Sequence, residues 1–292
     1  MLLALLKTMR PKQWPKNGFL FAGLIFDRQL FVIPSFLRIL AGFVLFCLLS
    51  SSVYIINDLI DLEADRQHPK KRLRPIASGQ LQAPVALTVA ILLMVVILPL
   101  AYLLSPPFAL IALIYLLLNL AYSTWLKHIV ILDVLVLAAL YVLRVGAGVE
   151  LIQVARFSPW LYIFTVFLAL YLGVGKRRAE LNLLADSANS HRPVLQGYTL
   201  PLLDQLITIV SSMTIITYSL YTFSAENLPD NHAMMLTIPF VIYGIFRYLY
   251  LVQVEHSGGA PEEVLLSDRP LQFTLALFAI AILLIFYVFH SS

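Results

Sequence analysis

The chain has 292 residues, 60% of them hydrophobic and only 12% charged, with a net charge of +4 and a mean hydropathy of +0.87. A chain this apolar is excluded from the ordinary soluble class, and lipid is the solvent for most of it. The single cysteine, Cys47, excludes an intrachain disulfide and a cysteine-based metal site.

The N-terminus, MLLALLKTMRPKQWPKNG, has its apolar stretch before its bases, the reverse of a secretory signal. Residues 1–17 read as an interfacial segment, with Lys12 and Trp14 at headgroup level. Apolar segments long enough to span, or nearly so, fall at 18–35, 37–57, 82–104, 107–126, 129–149, 158–175, 202–223, 233–254 and 271–290. The expected fold is therefore all-α: a polytopic membrane protein of nine transmembrane helices, forming one domain over 1–292. The first span is interrupted by Asp27 and Arg28 and ended by Pro34. Pro84, Pro106, Pro107, Pro159, Pro201, Pro229 and Pro270 mark further joints. The second and sixth segments each run into a charged loop on the same side, a loose likeness between two halves.

On this map one side holds fifteen bases: Lys7, Arg10, Lys12, Lys16, Arg66, Lys70, Lys71, Arg72, Arg74, Lys127, Lys176, Arg177, Arg178, Arg192 and Arg269. The other side holds three, Arg28, Arg38 and Arg156. That bias puts the N-terminus and the charged loops in the cytoplasm and the C-terminus outside.

The most concentrated chemistry lies from Tyr54 to Gly79, YIINDLIDLEADRQHPKKRLRPIASG, with four acids and six bases in 26 residues. Asp58, Asp61 and Asp65 are three and four residues apart, with Asn57 one position before the first. If the preceding helix continues, they share a face and repel one another unless a cation sits between them. Oxygen ligands of this kind suit a hard cation, above all Mg²⁺ bridging a substrate phosphate. Arg66, His68, Lys70, Lys71, Arg72 and Arg74 follow, the side chains that hold phosphate oxygens. Together they read as a diphosphate–metal site; the plainer alternative is a solvated loop whose bases only fix topology.

Other polar groups belong to the same side. Tyr122 and Lys127 in YSTWLKH are, by themselves, interface anchors. Asp133 and Arg144 lie in the next span; a lone arginine at Arg144 costs about 2.5–3.5 kcal/mol, so a partner or a substrate phosphate must offset it. In YLGVGKRRAELNLL, Lys176 and Glu180 face together beside Arg177, as a second jaw or as a plain positive-inside anchor. His191, Arg192 and Tyr198 lie in a polar linker, and GGAPEEVLLSDRP with Glu262, Glu263 and Asp268 is a connecting loop or a lid. No Ser/His/Asp triad, strand-led Gly-rich loop or zinc spacing is present in the sequence.

NDLIDLEAD, at the end of a second transmembrane helix, resembles the first motif of the UbiA superfamily of intramembrane prenyltransferases. RPKQWPKN, DRQHPKKRLRPIASG, YSTWLKH, LRVGAG, GKRRAEL and GAPEEVLLSDRPLQ resemble its decaprenyl-phosphate phosphoribosyltransferase branch, over residues 10 to about 272. The resemblance implies a nine-helix bundle around a central cavity, 5-phosphoribosyl 1-diphosphate as donor, a polyprenyl phosphate as acceptor, and Mg²⁺. The superfamily's second aspartate-rich motif is missing; Lys176, Arg177 and Arg178 stand there with Glu180 as the one acid. More cations and fewer metal ligands suit a donor with an additional phosphate.

The expected enzyme is a multi-pass transferase of the bacterial inner membrane with its site facing the cytoplasm. Asn57, Asp58, Asp61 and Asp65 hold the metal; Asp58, Asp61, Asp65, Arg144 and Lys176 take the catalytic roles. Lys16, Arg66, Lys71, Arg72, Arg74, Tyr122, Lys127, Arg177, Glu180 and Tyr198 bind the substrates. The lipid phosphate is already an anion, so no strong general base is needed. No nucleic-acid partner is expected, and self-association is left open. The rival readings are a UbiA-type prenyltransferase acting on an aromatic acceptor, and a transporter or lipid carrier with charged gates.

Overall fold

The computed structural model describes residues 1–69, 71–152, 154, 158–185, 193–226, 228–229, 231–255 and 261–288. Lys70, Arg156, His191 and Arg192, and the side chains of Glu262 and Glu263, lie outside the described residues. Every regular element among the described residues is helical. Helix α1 (Leu2–Thr8) leads through a 3-10 stretch (Pro11–Leu20) into α2 (Phe21–Phe26), α3 (Ile33–Ile60) and α4 (Leu62–Gln67). After a 3-10 turn at Lys71–Leu73 come α5 (Ala83–Leu104), α6 (Pro106–Thr124), α7 (Leu132–Val149), α8 (Pro159–Ala185) and α9 (Leu200–Ser224). The chain ends with α10 (Ile238–Gln253), α11 (Pro261–Ser267) and α12 (Arg269–Tyr287).

Prolines open α3, α5, α6, α9, α10 and α12 in their first two positions, where a missing N–H costs nothing. Asp268 caps α12 by accepting from the Leu271 amide at 2.9 Å. Eight helices among the described residues are long and apolar enough to cross a membrane. On α5, Leu92, Val95 and Leu103 are 60–80% exposed. In water such a face would be a large unpartnered apolar patch; against lipid it needs no partner. The chain is thus a multi-pass membrane protein.

Nine spanning helices are not confirmed, because 18–35 holds only the end of a 3-10 stretch, α2, which stops at Phe26 before Arg28 at φ 58°, and the start of α3. Pro11 and Pro15 remove helix donors, and Asn17-Gly18 is a weak helix former, so the chain takes a 3-10 path instead. This path nonetheless runs antiparallel along α3. Arg10 reaches Asp58, Trp14 donates to Ser51 at 3.1 Å, Asn17 donates to Ser50 at 3.2 Å, and Phe21 meets Phe43 and Phe36. From Asp58 back to Phe36 is about 33 Å of helix at roughly 1.5 Å per residue. A broken segment therefore covers the length expected of the first span.

The residues group into two compact units, Met1–Lys127 with Leu143–Val154, and His128–Val142 with Ala155–Ser292. In the first, α3 packs on α5, α6 and the N-terminal 3-10 stretch, and Met9, Ile55, Ile76, Leu81, Ala86 and Ala90 form a core beside the charged stretch. Gly148 is required there: a Cβ would stand 2.0 Å from the Leu20 carbonyl oxygen. In the second, α8 packs on α9, and α10 on α8, α9 and α12, around Tyr171, Val174, Leu203, Ile207 and Tyr248.

Candidate active site

The aspartates sit where α3 hands over to α4. The Asp61 amide donates to the Asn57 carbonyl at 3.0 Å and the Asp65 amide to the Asp61 carbonyl at 2.8 Å, so the helical ladder carries across the break. Asp58 and Asp65, two turns apart, fall on one face and are both buried. The cation that their repulsion demands is Arg74. Its Nη1 lies 3.0 Å from Asp58 Oδ1 and 2.5 Å from Asp65 Oδ2. Arg74 is held by the turn that follows the 3-10 element: its carbonyl accepts from the Ser78 amide at 2.9 Å, and Gly79, at φ +78°, takes the left-handed conformation closing the turn.

Asp61 turns the other way, and its Oδ1 accepts from Lys127 Nζ at 2.8 Å. Arg10 Nη2 lies 2.5 Å from the same Asp58 oxygen that Arg74 uses. Its guanidinium also sits 5.1 Å over the Tyr54 ring, a cation–π contact. A cavity of about 230 Å³ opens beside these groups, lined by Lys7, Arg10, Asp58, Leu73, Arg74 and Pro75. Three bases against one acid make it a place for an anion.

The expected binding residues are distributed unevenly. Lys71 and Arg72 are exposed on the 3-10 turn, and Arg66 pairs with Glu63 at 2.7 Å in a solvated pair beside the site. Lys16, Asn57 and Tyr122 are half-buried in the same unit. Arg144 does not pair with Asp133. It donates from Nε to Asn17 Oδ1 at 2.9 Å and from Nη2 to the Tyr115 hydroxyl at 2.8 Å, so its buried charge fastens the N-terminal path to α6 and α7. Asn17 and Tyr115 carried no sequence signal of this role. Arg10 and Lys7 did: they stand in the basic N-terminal block, where sequence reasoning used them for topology alone.

The second unit holds its own charged cluster. Arg177, wholly enclosed, donates from Nε to Asp133 Oδ2 at 2.6 Å and from Nη1 to Glu180 Oε2 at 2.7 Å. The Tyr198 hydroxyl donates to Asp133 Oδ1 at 2.6 Å and accepts from the Ile131 amide at 2.7 Å. Burial pushes the Tyr198 phenol above its usual range, and the hydrogen bond to the carboxylate adds to the shift. Tyr198 is thus a buried structural group here, not the solvated linker residue its sequence suggests. Lys176 is half-buried on the last turns of α8.

Among the described residues no three Asp, Glu, His or Cys side chains form a ready-made metal cluster. The donors at Asp58, Asp61 and Asp65 are nevertheless all oxygen, and one cationic nitrogen already bridges two of them. That fits a hard cation of the Mg²⁺ kind, which takes few protein ligands and completes its shell from phosphate and water.

Buried acids and bases at the end of a membrane-crossing helix, beside a cavity lined by three bases, make an anion-binding site in a multi-pass membrane protein. Residues 19–266 match the model of the UbiA prenyltransferase family, and the chain belongs to that family. It is 35% identical over 271 residues to the decaprenyl-phosphate phosphoribosyltransferase of Mycobacterium tuberculosis, covering 91% of this chain and 88% of the relative. The protein of that name from Corynebacterium glutamicum is 31% identical over 299 residues, 97% of this chain and 87% of the relative. Among solved structures, a UbiA homolog from Archaeoglobus fulgidus bound to DMAPP and Mg²⁺ shares the fold, with a TM-score of 0.73 over 97% of this chain and 99% of that one at 20% identity.

Proposed function

We propose that this enzyme transfers the 5-phosphoribosyl group of 5-phosphoribosyl 1-diphosphate to a polyprenyl phosphate of the decaprenyl type, with Mg²⁺, and releases diphosphate. The observation that carries the chemistry is the Arg74 guanidinium bridging buried Asp58 and Asp65 beside a cavity rich in bases. Carboxylates arranged around a cation, next to cations arranged around an anion, suit a metal–diphosphate. The acceptor and the phosphoribosyl group are supported by the relatives named decaprenyl-phosphate phosphoribosyltransferase, which are alike over nine tenths of this chain; a diphosphate as the donor's leaving group is supported by the metal–diphosphate character of the site.

Asp58, Asp61 and Asp65, with Asn57, would hold Mg²⁺, which when bound neutralises charge on the diphosphate. Arg74 and Lys127 then turn from the carboxylates to diphosphate oxygens and stabilise the charge that builds as the bond breaks. The C1–O bond to diphosphate breaks, and the diphosphate keeps the electron pair. An oxygen of the lipid phosphate forms the new bond to C1 from the opposite face. That oxygen is already anionic, so the chain needs no proton acceptor. Lys71 and Arg72, exposed on their turn, are assigned the donor's 5-phosphate. Arg144 and Arg177 act through the side chains they hold. The fifteen-to-three split of bases supports a site on the cytoplasmic face of a bacterial inner membrane.

Purified protein in detergent, given labelled phosphoribosyl diphosphate and a polyprenyl phosphate, should form a labelled lipid, and EDTA should abolish it. Asp58→Asn and Asp61→Asn should each lower turnover by orders of magnitude while the protein stays folded. Label transfer from a prenyl diphosphate to an aromatic acceptor, with none from the phosphoribosyl donor, would give the family's other chemistry and end this reading.

A further inference from the structure

Arg10 belongs to no expected set of site residues, yet its position is costly to hold. Its backbone lies in the left-handed region, at φ 52° and ψ 61°, where a residue with a side chain is strained. The strain is held in place by specific contacts. The Ser51 hydroxyl donates to the Met9 carbonyl at 2.9 Å, Trp14 donates to Ser51, and the guanidinium lies over Tyr54. All of this aims Arg10 at Asp58 and into the cavity.

Two carboxylates and two guanidinium groups meet there. Asp58 Oδ1 receives two guanidinium groups, Arg10 at 2.5 Å and Arg74 at 3.0 Å, although one cation neutralises one carboxylate. Arg74 is shared with Asp65, so Arg10 is what completes the balance of the aspartate pair. Lys7, one turn earlier and exposed, lines the same cavity and makes no ion pair among the described residues. The Arg10 side chain is 27% exposed against 3% for Asp58, so it has room to move and the carboxylate does not.

We infer that Arg10 and Lys7 form the N-terminal half of the diphosphate site, and that Arg10 is held on Asp58 as a counter-ion and passes to the diphosphate when the site fills. The inference rests on the reading of this cavity as a diphosphate site and names the residues that the reading lacks. While Arg10 lies on Asp58 it competes with any metal for that carboxylate. Once a divalent cation shares Asp58, the guanidinium is released toward the anion. The aspartates therefore bind metal weakly when no diphosphate is present, and metal and diphosphate favour each other's binding.

The two halves of this exchange predict effects of opposite sign in one variant. Arg10→Ala removes a diphosphate contact and also removes a competitor for the metal. Calorimetric titration of detergent-solubilised protein with inorganic diphosphate in metal-free buffer should show about a ten- to hundredfold weaker affinity in Arg10→Ala than in wild type, the range for one charge-assisted contact. Titration with Mn²⁺ alone should show tighter binding in the same variant. Lys7→Ala, on an exposed residue, should weaken diphosphate binding without tightening Mn²⁺, and it keeps the test open if Arg10→Ala misfolds. Unchanged diphosphate affinity in both variants overturns the inference, as does a parallel loss of both affinities in Arg10→Ala, which marks a structural role. Turnover separates this from the proposed reaction. A wild type that forms phosphoribosyl lipid while Arg10→Ala and Lys7→Ala bind diphosphate normally sinks the inference alone. A wild type that forms none, with the opposite-sign pattern intact, sinks the donor assignment and leaves the diphosphate site standing.

Discussion

Arg177 tests whether a base at the end of a membrane helix binds substrate or holds the fold. Sequence spacing assigns it to a phosphate, whereas in the structure it has no exposed surface and its guanidinium meets Asp133 and Glu180. Arg177→Met keeps much of the volume but leaves the Asp133 carboxylate buried, with the Tyr198 hydroxyl still on one oxygen. Removing one partner of such a pair costs about 3–5 kcal/mol, because an uncompensated charge stays in a low-dielectric interior. At roughly 2–4 °C per kcal/mol for a unit of this size, unfolding should move down by on the order of 10 °C. Adding Asp133→Asn should restore part of the loss, since the wholly enclosed carboxylate then carries no charge. The assay is thermal unfolding in detergent of wild type, both single variants and the double variant, beside calorimetric titration of diphosphate. A phosphate-binding arginine would give the reverse pattern, with wild-type melting and a ten- to hundredfold weaker affinity. Melting of Arg177→Met at the wild-type temperature, or a double variant less stable than Arg177→Met, would refute the structural reading.

Gly148→Ala should destabilise the first unit by about 1–3 kcal/mol or more, because a backbone carbonyl at 2.0 Å has to move; the helix propensity gained, about 1 kcal/mol, is too small to compensate. Thermal melting reads the net effect, and a stabilised variant would contradict the close approach. Asp268 accepts from Arg247 and from the Leu271 amide, contacts that hold its carboxyl below the usual carboxylate range. Its contribution is therefore present above the unfolded value near pH 4 and is lost as pH falls through the lower folded value. Melting scans through the acid range should show a step that Asp268→Asn removes, and identical profiles would argue against it. For topology, single cysteines in a Cys47→Ser background should escape an impermeant reagent in intact cells at Arg72 and Lys176; labelling at either would reverse the proposed orientation.

Much of this was legible because lipid leaves a strong mark on sequence. Eight apolar runs overlap their helices, although α8 continues to Ala185, ten residues past the run at 158–175, and the prolines that mark joints open six of them. The N-terminal passage departs from a simple helix because an apolar run fixes burial but not backbone geometry, which Pro11, Pro15 and Asn17-Gly18 turn to 3-10. The shared face of Asp58 and Asp65 followed from helical period, whereas Asp61 reaching Lys127 depends on where another helix ends. No local pattern could pair Arg144 with Asn17, 127 positions away, or Asp133 with Arg177. Such partners are chosen by packing, and sequence spacing alone sees only neighbours on one helix.

Exposure is what separates the two kinds of ion pair in this chain. Among the described residues, each buried carboxylate beside or within a spanning helix has a cation on it, because an unpaired charge there is too costly to keep. Pairing alone therefore says nothing about function. Arg177 and Asp133 are both wholly enclosed, so neither can change partner without unpacking the helices that carry them. Arg10, Arg74 and Lys127 close on acids of the first unit with 27%, 26% and 16% of their side chains exposed, and two of the three line the cavity. A cation that must serve a carboxylate in one state and a phosphate in another needs that freedom. On the proposed reaction, the chemistry would fall to the pairs that can come apart, and the fold rests on those that cannot.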